Sequence, residues 1–395
     1  MSKVTVTTGC YSESICRNST RNLVIDSTGV YHVAYAKTDG GKYNIFYTKS
    51  IDGGDTWLTP YQITSDVTYS QEFPTIIVDS FDNTHIVWYG CHASSTTKTQ
   101  ARYIKHTFSD DTWSSITNLT SSSSVLYPSI YCDGGNNLHL TYTCDNNNQH
   151  IWYMRYDNQG KTWSTPSQID DTPTNHKNLA SSMQVDSNGF IHVVWYGKWD
   201  AAGAGSAYNI RYAVSDDDGN NWSHITVTSV NYTQNNANII IDDNNNVHIF
   251  WDGRTSSAVY NVYYSKTTNR GSSFIIDKQA LTADASYSQQ YPSCVIDNDL
   301  TINCLFCGKY TGYTSYNQLR CIASSDNGTT WGSITNITTS KAQDQLYADT
   351  IFTLHPIIYD VGFNRPKKGY AMIWLDGTNL VFSKSSDYKP VVNHR

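Results

Sequence analysis

Short apolar runs punctuated by polar turns occupy the whole chain, and one arrangement of them returns seven times. The copies read LVIDSTGVYHVAY, IIVDSFDNTHIVWYG, IYCDGGNNLHLTY, MQVDSNGFIHVVWYG, IIIDDNNNVHIFWDG, CVIDNDLTINCLFCG and, more loosely, IIYDVGFNRPKKGYAMIWLDG. Each predicts a strand closing on Asp, a turn rich in Gly or Asn, and a second strand. The turn aspartates are Asp26, Asp79, Asp133, Asp186, Asp242, Asp297 and Asp360, a period of roughly 55 residues, which marks an array of equal supersecondary units.

A second pattern follows the first. After a third apolar run comes a turn of the form Ser-x-Asp-x-Gly-x-Thr-Trp, then a fourth strand. It is complete in SIDGGDTW (Ser50 to Trp57) and SSDNGTTW (Ser324 to Trp331), and nearly so in SDDDGNNW (Ser215 to Trp222). Weaker copies end at Trp163, Phe274 and Trp113. In such a turn Asp and Ser side chains bond local amides, Gly permits a positive φ, and the aromatic packs back on the sheet. The motif resembles the Asp box (BNR repeat) of sialidases and related propellers, over nearly the whole chain.

Four strands per unit and seven units predict an all-β fold, a seven-bladed β-propeller with four-stranded antiparallel blades. The expected organisation is one domain over residues 1–395, with blades near 15–65, 66–120, 121–171, 172–230, 231–283, 284–340 and 341–390. The last unit supplies only three strands, whereas Lys3 to Thr8 forms an alternating strand ahead of the first copy. The N-terminal strand is therefore expected to complete blade 7 and remove an open edge.

Composition narrows the function classes. Charged residues are 15% of the chain and aromatics 13%, a polar, aromatic-rich β composition. A formal charge of −7 without a Lys/Arg run offers nothing general to a phosphate backbone, so no nucleic-acid partner is expected. The beginning, MSKVTVTTGC, lacks the apolar core of a secretion signal, and no stretch reaches the ~18 apolar residues that span a bilayer. The nine cysteines include Cys132, Cys294, Cys304 and Cys321 at strand positions where other repeats place apolar residues; they are expected to be reduced core thiols.

In a meander, the turns after the first and third strands share one face, so the Asp boxes lie together. Function is expected on the opposite face, around the channel. Residues that merely repeat are set aside. His32, His85, His139, His192 and His248 occupy one strand position in five blades, which opposes convergence on a metal and suits an imidazole bonded between blades; no metal or cofactor is expected. The Asp-box aspartates are likewise expected to satisfy their own turns.

Residues that break the repeat carry the site expectation. The chain has two glutamates, Glu13 and Glu72, both read as lying in loops that enter an innermost strand. Around them come Arg17, Arg21, Tyr69 and Gln71, with Tyr127, His176, Gln290, Tyr291 and Tyr347 in corresponding places of other blades. Past the second strands come His92, Lys198, Trp199, Asp200, Asp252, Arg254, Lys309 and Tyr310. Flat aromatics with carboxylates and a few cations suit sugars, whose apolar faces stack while their hydroxyls need paired donors and acceptors.

The resemblance also sets enzymatic expectations. Sialidases of this kind use three arginines, a tyrosine nucleophile paired with Glu and an Asp acid/base, usually on six blades with an Arg-Ile-Pro motif near the start. Here CRNSTRN lacks that motif, and Arg17, Arg21, Arg254 and Arg320 cannot be matched to the triad one by one. Some seven-bladed polysaccharide lyases resemble the layout and need a base such as His92. A two-carboxylate hydrolase could use Glu72 and Asp252. The reading adopted is recognition of a glycan or protein by an exposed, virion-associated or extracellular propeller, with the carbohydrate-active enzyme as its alternative and Glu72, His92 and Asp252 as candidate catalytic groups.

Overall fold

The computed structural model describes residues 3–11, 15, 21–121, 124–145, 149–171, 177–198, 207–255, 258–296, 300–351 and 371–384. Seven separate antiparallel sheets form, each led by an inner strand: Leu23–Ile25, Gln71–Val78, Ser124–Cys132, Asn178–Val185, Gln234–Ile241, Gln289–Ile296 and Gln345–Ile351. Each inner strand contacts the next, and the seventh contacts the first, so the sheets close into a ring. Among the described residues there is no helix, and hence none long and apolar enough to cross a membrane.

The ring closes as the sequence implies. Val4–Thr8 pairs antiparallel with Asn379–Lys384, placing Val4 opposite Phe382 and Thr8 opposite Asn379. Lys3 adds an ion pair to the buried Asp376. Val4–Thr8 and Asn379–Lys384 thus share blade 7, and Asn379–Lys384 is paired on both sides.

The recurrent polar residues build the seams on the Asp-box face. Asp79 Oδ1 accepts bonds from the amides of Phe81 and Asn83, closing its turn, while Oδ2 lies 3.1 Å from His85 Nε2. His85 Nδ1 is 2.8 Å from the Tyr103 hydroxyl. A carboxylate only accepts, so Nε2 carries the proton and Nδ1 accepts from the tyrosine. The same Asp, His and Tyr relay recurs with His32 and Tyr47, His139 and Tyr153, and His248 and Tyr264, whereas in blade 4 His192 keeps the Tyr212 bond with its Nε2 3.4 Å from Asp186 and not hydrogen-bonded. The imidazoles therefore bond within their own blade, not between blades as the sequence suggested. The tyrosine ring makes the crossing: Trp113 of blade 2 packs edge-on against Tyr47 of blade 1, and Trp331 of blade 6 against Tyr264 of blade 5.

The Asp boxes complete this seam. Asp52 accepts from the Thr56 amide and hydroxyl and from Ser50, whose own oxygen receives the Gly54 amide. These bonds, first those from Thr56, hold the Asp52 carboxyl down at about 2. A methyl on Gly54 would come 2.1 Å from the Phe382 ring of blade 7, so this glycine is required both by its φ of +91° and by the neighbouring blade. Asp297 and Asp360 lie outside the described residues. The eight described cysteines form no disulfide, and Cys132, Cys294, Cys304 and Cys321 are buried.

Candidate functional site

At the other end of the sheets every inner strand from blade 2 to blade 7 is bulged. The pairing register shifts after Glu72, Leu126, Leu179, Asn235, Gln290 and Leu346. The next residue in each case has a positive φ: Phe73, Tyr127, Ala180, Asn236, Tyr291 and Tyr347, between 48° and 59°. Four of the six are aromatic, residue types that rarely occupy this region, and such strain persists only where the surroundings impose it.

Part of that imposition comes from the preceding blade. Asp252 Oδ2 accepts from the Tyr291 amide at 2.9 Å, the Thr143 hydroxyl accepts from the Ala180 amide at 3.2 Å, and the Cys307 thiol lies against the amides of Tyr347 and Ala348. These three side chains stand at one register position, each opposite the residue before its own blade's bulge. Asp252 also accepts from Asn236 at 2.8 Å and is fully buried. It therefore joins two bulges across the boundary of blades 5 and 6.

A second device sets the strand ends. Gln71 receives the Trp88 indole N–H at 2.9 Å and the Arg102 guanidinium at 2.8 Å, and its amide donates to the Cys91 carbonyl at 2.8 Å. A methyl on Gly90 would fall 2.1 Å from the Gln71 oxygen. Asn178 with Trp195 and Gly197, and Gln234 with Trp251 and Gly253, repeat the arrangement. The glycine after the Trp is thus a packing requirement of the buried amide side chain.

Glu72 belongs to the inner strand itself, not to the loop before it, and is half-buried. Its Oε2 accepts from the Tyr89 hydroxyl at 3.2 Å. Tyr89 stacks on Phe73, which meets Tyr127 edge-on at 5.1 Å. On the opposite side of the ring Tyr291 meets Tyr347 edge-on at 4.9 Å. Arg21 reaches from blade 1 across to Tyr131 of blade 3, its guanidinium 5.3 Å from the ring centre. Burial raises the Tyr131 hydroxyl to about 12, against the opposing pull of Arg21. Tyr69 caps its loop through its amide to Asp66.

His92 and Asp252 also lie inside second strands, Thr84–His92 and Val247–Gly253, where loops beyond them were expected. Burial, helped by the charge of Arg102, lowers the His92 pKa, which favours a neutral imidazole able to accept a proton. Lys198, Arg254 and Lys309 each follow a strand glycine at the rim. Glu13, Arg17, His176, Trp199 and Asp200 lie outside the described residues. Among the described residues no group of three or more His, Cys, Asp or Glu side chains could hold a metal ion.

Residues 58–233 match the model of a BNR repeat-containing family member, and that span lies within the seven-sheet ring. The chain is a seven-bladed Asp-box propeller. Among solved structures this propeller is similar to a polysaccharide lyase, ulvan lyase PL25, bound to -[GlcA(1-4)Rha3S]-, at 10% identity and a TM-score of 0.67 over 96% of this chain and 95% of that one. It is also similar to the polysaccharide lyase Uly1, at 9% identity and a TM-score of 0.61 over 97% and 98% of the two chains. A third likeness, at 12% identity and a TM-score of 0.54 over 82% and 98%, is to the Penicillium chrysogenum α-L-arabinanase complexed with arabinobiose. At these identities the likenesses establish the shared fold. No curated protein matches the sequence.

The sequence reading missed the bulges and, although it named Gln71, the recurrence of a buried Asn or Gln ahead of them. A signal was present: Gln71 and Trp88, Asn178 and Trp195, and Gln234 and Trp251 all stand 17 residues apart.

Proposed function

We propose that this propeller is a carbohydrate-recognition protein that binds an oligosaccharide across the channel mouth, working outside the cell or on a virion surface. The observation that carries the reading is the pair of half-buried tyrosines, Tyr127 and Tyr291, held at positive φ on inner-strand bulges and backed by the buried rings of Phe73 and Tyr347 at the same position, with Glu72 beside Phe73. Strained backbone concentrates where a side chain must be aimed, and aromatic faces next to a carboxylate match the alternating apolar and hydroxyl surfaces of a sugar. Lyases and an arabinanase of similar fold, with carbohydrate ligands in two of the three compared structures, add weight to that choice of ligand.

A second reading is favoured by one contact. The Tyr89 hydroxyl donates to Glu72, the pair of groups that a sialidase-like hydrolase would use as nucleophile and base. Binding and product release measured on one sample of Glu72→Gln separate the two. As a recognition residue, Glu72 loses a charged hydrogen bond and affinity falls about ten- to a hundredfold, or ~1.5–3 kcal/mol. As a catalytic group, its removal preserves most binding and abolishes turnover. Full affinity together with whatever turnover the parent shows removes Glu72 from both roles.

A further inference from the structure

Lys198, Arg254 and Lys309 occupy one structural position in three consecutive blades. Each follows the glycine that pairs with the residue opening the inner strand: Gly197 with Asn178, Gly253 with Gln234, Gly308 with Gln289. The same position holds Gly377 in blade 7, Thr38 in blade 1, Cys91 in blade 2 and the acidic Asp145 in blade 3. Positive charge therefore gathers on the side of the mouth formed by blades 4 to 6, in a chain whose net charge is −7.

The backbone beneath these side chains is fixed. The Lys198 amide donates to the Lys177 carbonyl and the Arg254 amide to the Thr233 carbonyl. The carbonyls of Arg254 and Lys309 accept from buried Gln234 and Gln289 at 2.8 and 2.9 Å. Two of the side chains are also placed: the Lys198 ammonium lies 5.0 Å over the Tyr208 ring and the Arg254 guanidinium 5.2 Å over Tyr260. A cation resting on an aromatic face loses little freedom when an anion arrives. On the Asp-box face Lys384 has Asp55 and Arg270 has Asp186, whereas Lys161 and Lys266 bond to the Asn158 side chain and the Asn327 carbonyl. Among the described residues the three rim cations have no carboxylate partner.

We propose that this arc binds the acidic groups of an anionic oligosaccharide, and that its hydroxyl-bearing part faces Glu72 across the mouth. The orientation follows from charge, because a carboxylate or sulfate ester is repelled by Glu72 and attracted by the arc. The inference rests on the glycan reading above and gives that ligand its chemical class.

The test is calorimetric titration of the whole protein with three tetrasaccharides: a uronate, its carboxyl-reduced counterpart, and a sulfated neutral sugar. The uronate or the sulfated sugar should bind at least tenfold more tightly than the reduced one, identifying which anion the arc takes. Arg254→Gln and Lys309→Gln should each weaken the anionic ligand about tenfold, leave the reduced one unaffected, and flatten the salt dependence. Thermal melts matching the parent establish that both variants are folded. Equal binding of anionic and reduced sugars, or full anionic affinity in both variants, overturns the arc; if Glu72→Gln still weakens every sugar, the glycan reading stands without it. Absence of binding by all three sugars removes both.

Discussion

The carboxylate of Asp252 holds the backbone amide of Tyr291, 2.9 Å away in the next blade. Its complete burial and its second donor, Asn236, make this aspartate a mechanical part of the mouth, because it fixes the strained bulge that carries the Tyr291 ring. Thr143 does the same for Ala180 with a neutral hydroxyl, so the position needs an acceptor more than a charge. Asp252→Ala removes the acceptor shared by the Tyr291 amide and the Asn236 side chain and should cost about 2–4 kcal/mol in urea unfolding. Asp252→Thr should recover part of that loss. If Asp252→Thr restores stability but binding or turnover stays lost, the carboxylate has a role beyond holding the bulge.

Closure by the N-terminal strand makes blade 7 depend on both chain ends. Deleting residues 1–9 removes the partner of Asn379–Lys384 and exposes a strand edge. The melting temperature should fall by several degrees and concentration-dependent aggregation should appear. An unchanged melt contradicts the role of this strand.

The Asp box separates two kinds of contribution. Asp52→Ala removes bonds on an exposed turn, and solvent replaces much of what is lost, so about 1 kcal/mol is expected. Gly54→Ala forces a methyl into the Phe382 ring and retains an unfavourable φ; strain and overpacking together should exceed about 2 kcal/mol. Sugar affinity of the folded fraction should survive both, because the box lies on the face away from the mouth. Selective loss of affinity would overturn the assignment of faces.

The buried relays give the stability a pH dependence. Burial lowers the pKa of His85, His192 and His248, despite the opposing pull of their aspartates. The unfolded chain then binds more protons than the folded one as pH falls below the ordinary histidine value near 6.5. Their stabilisation is present above that value and declines toward the lower folded values. A second decline follows below the ordinary carboxylate range: burial alone would raise Asp133, but bonding and charge from His139 bring it down to about 2. His150 works the other way, raised first by its bond to Asp170, so its contribution fades as pH rises. Unfolding free energies at pH 5, 6 and 7.5 should increase in that order. A flat profile would mean that the relays are not buried as described.

The fold was legible because a propeller writes its period into the chain: the Asp turns and Asp boxes alternate from Asp26 to Trp331, and Val4–Thr8 stands where a missing strand was needed. Site residues were legible by type and by place along the repeat. Their environments were not. Glu72 and Asp252 look alike as carboxylates near strand ends, yet one is half-buried beside a tyrosine and the other is sealed between bulges. That difference depends on the neighbouring blade, which no local pattern around either residue encodes. The bulges escaped notice for a related reason: Phe73, Tyr127, Tyr291 and Tyr347 are strand-forming residues, and nothing in their type announces a positive φ.

Those bulges provide the sharpest expectation for the mouth. Tyr291 sits at a φ of 59°, a conformation that costs a non-glycine residue roughly 1–2 kcal/mol. Glycine at this position relieves that strain but removes the ring that meets Tyr347, an aromatic contact of about 0.5–1.5 kcal/mol. The ring is also half-buried against the neighbouring core, and its lost burial together with the entropy of glycine outweighs the relieved strain, so Tyr291→Gly should destabilise by about 1–2 kcal/mol. If the ring is held there to stack on a sugar, affinity should drop by about tenfold or more. Ala180→Gly is the control: its φ is 48°, it has no ring to lose, and it should gain up to about 1 kcal/mol with affinity unchanged. Titration and urea melts on both variants measure the four quantities together. Should Tyr291→Gly lose stability and keep full affinity, the ring serves packing alone, and the strained aromatic bulges would no longer support a sugar site at the mouth.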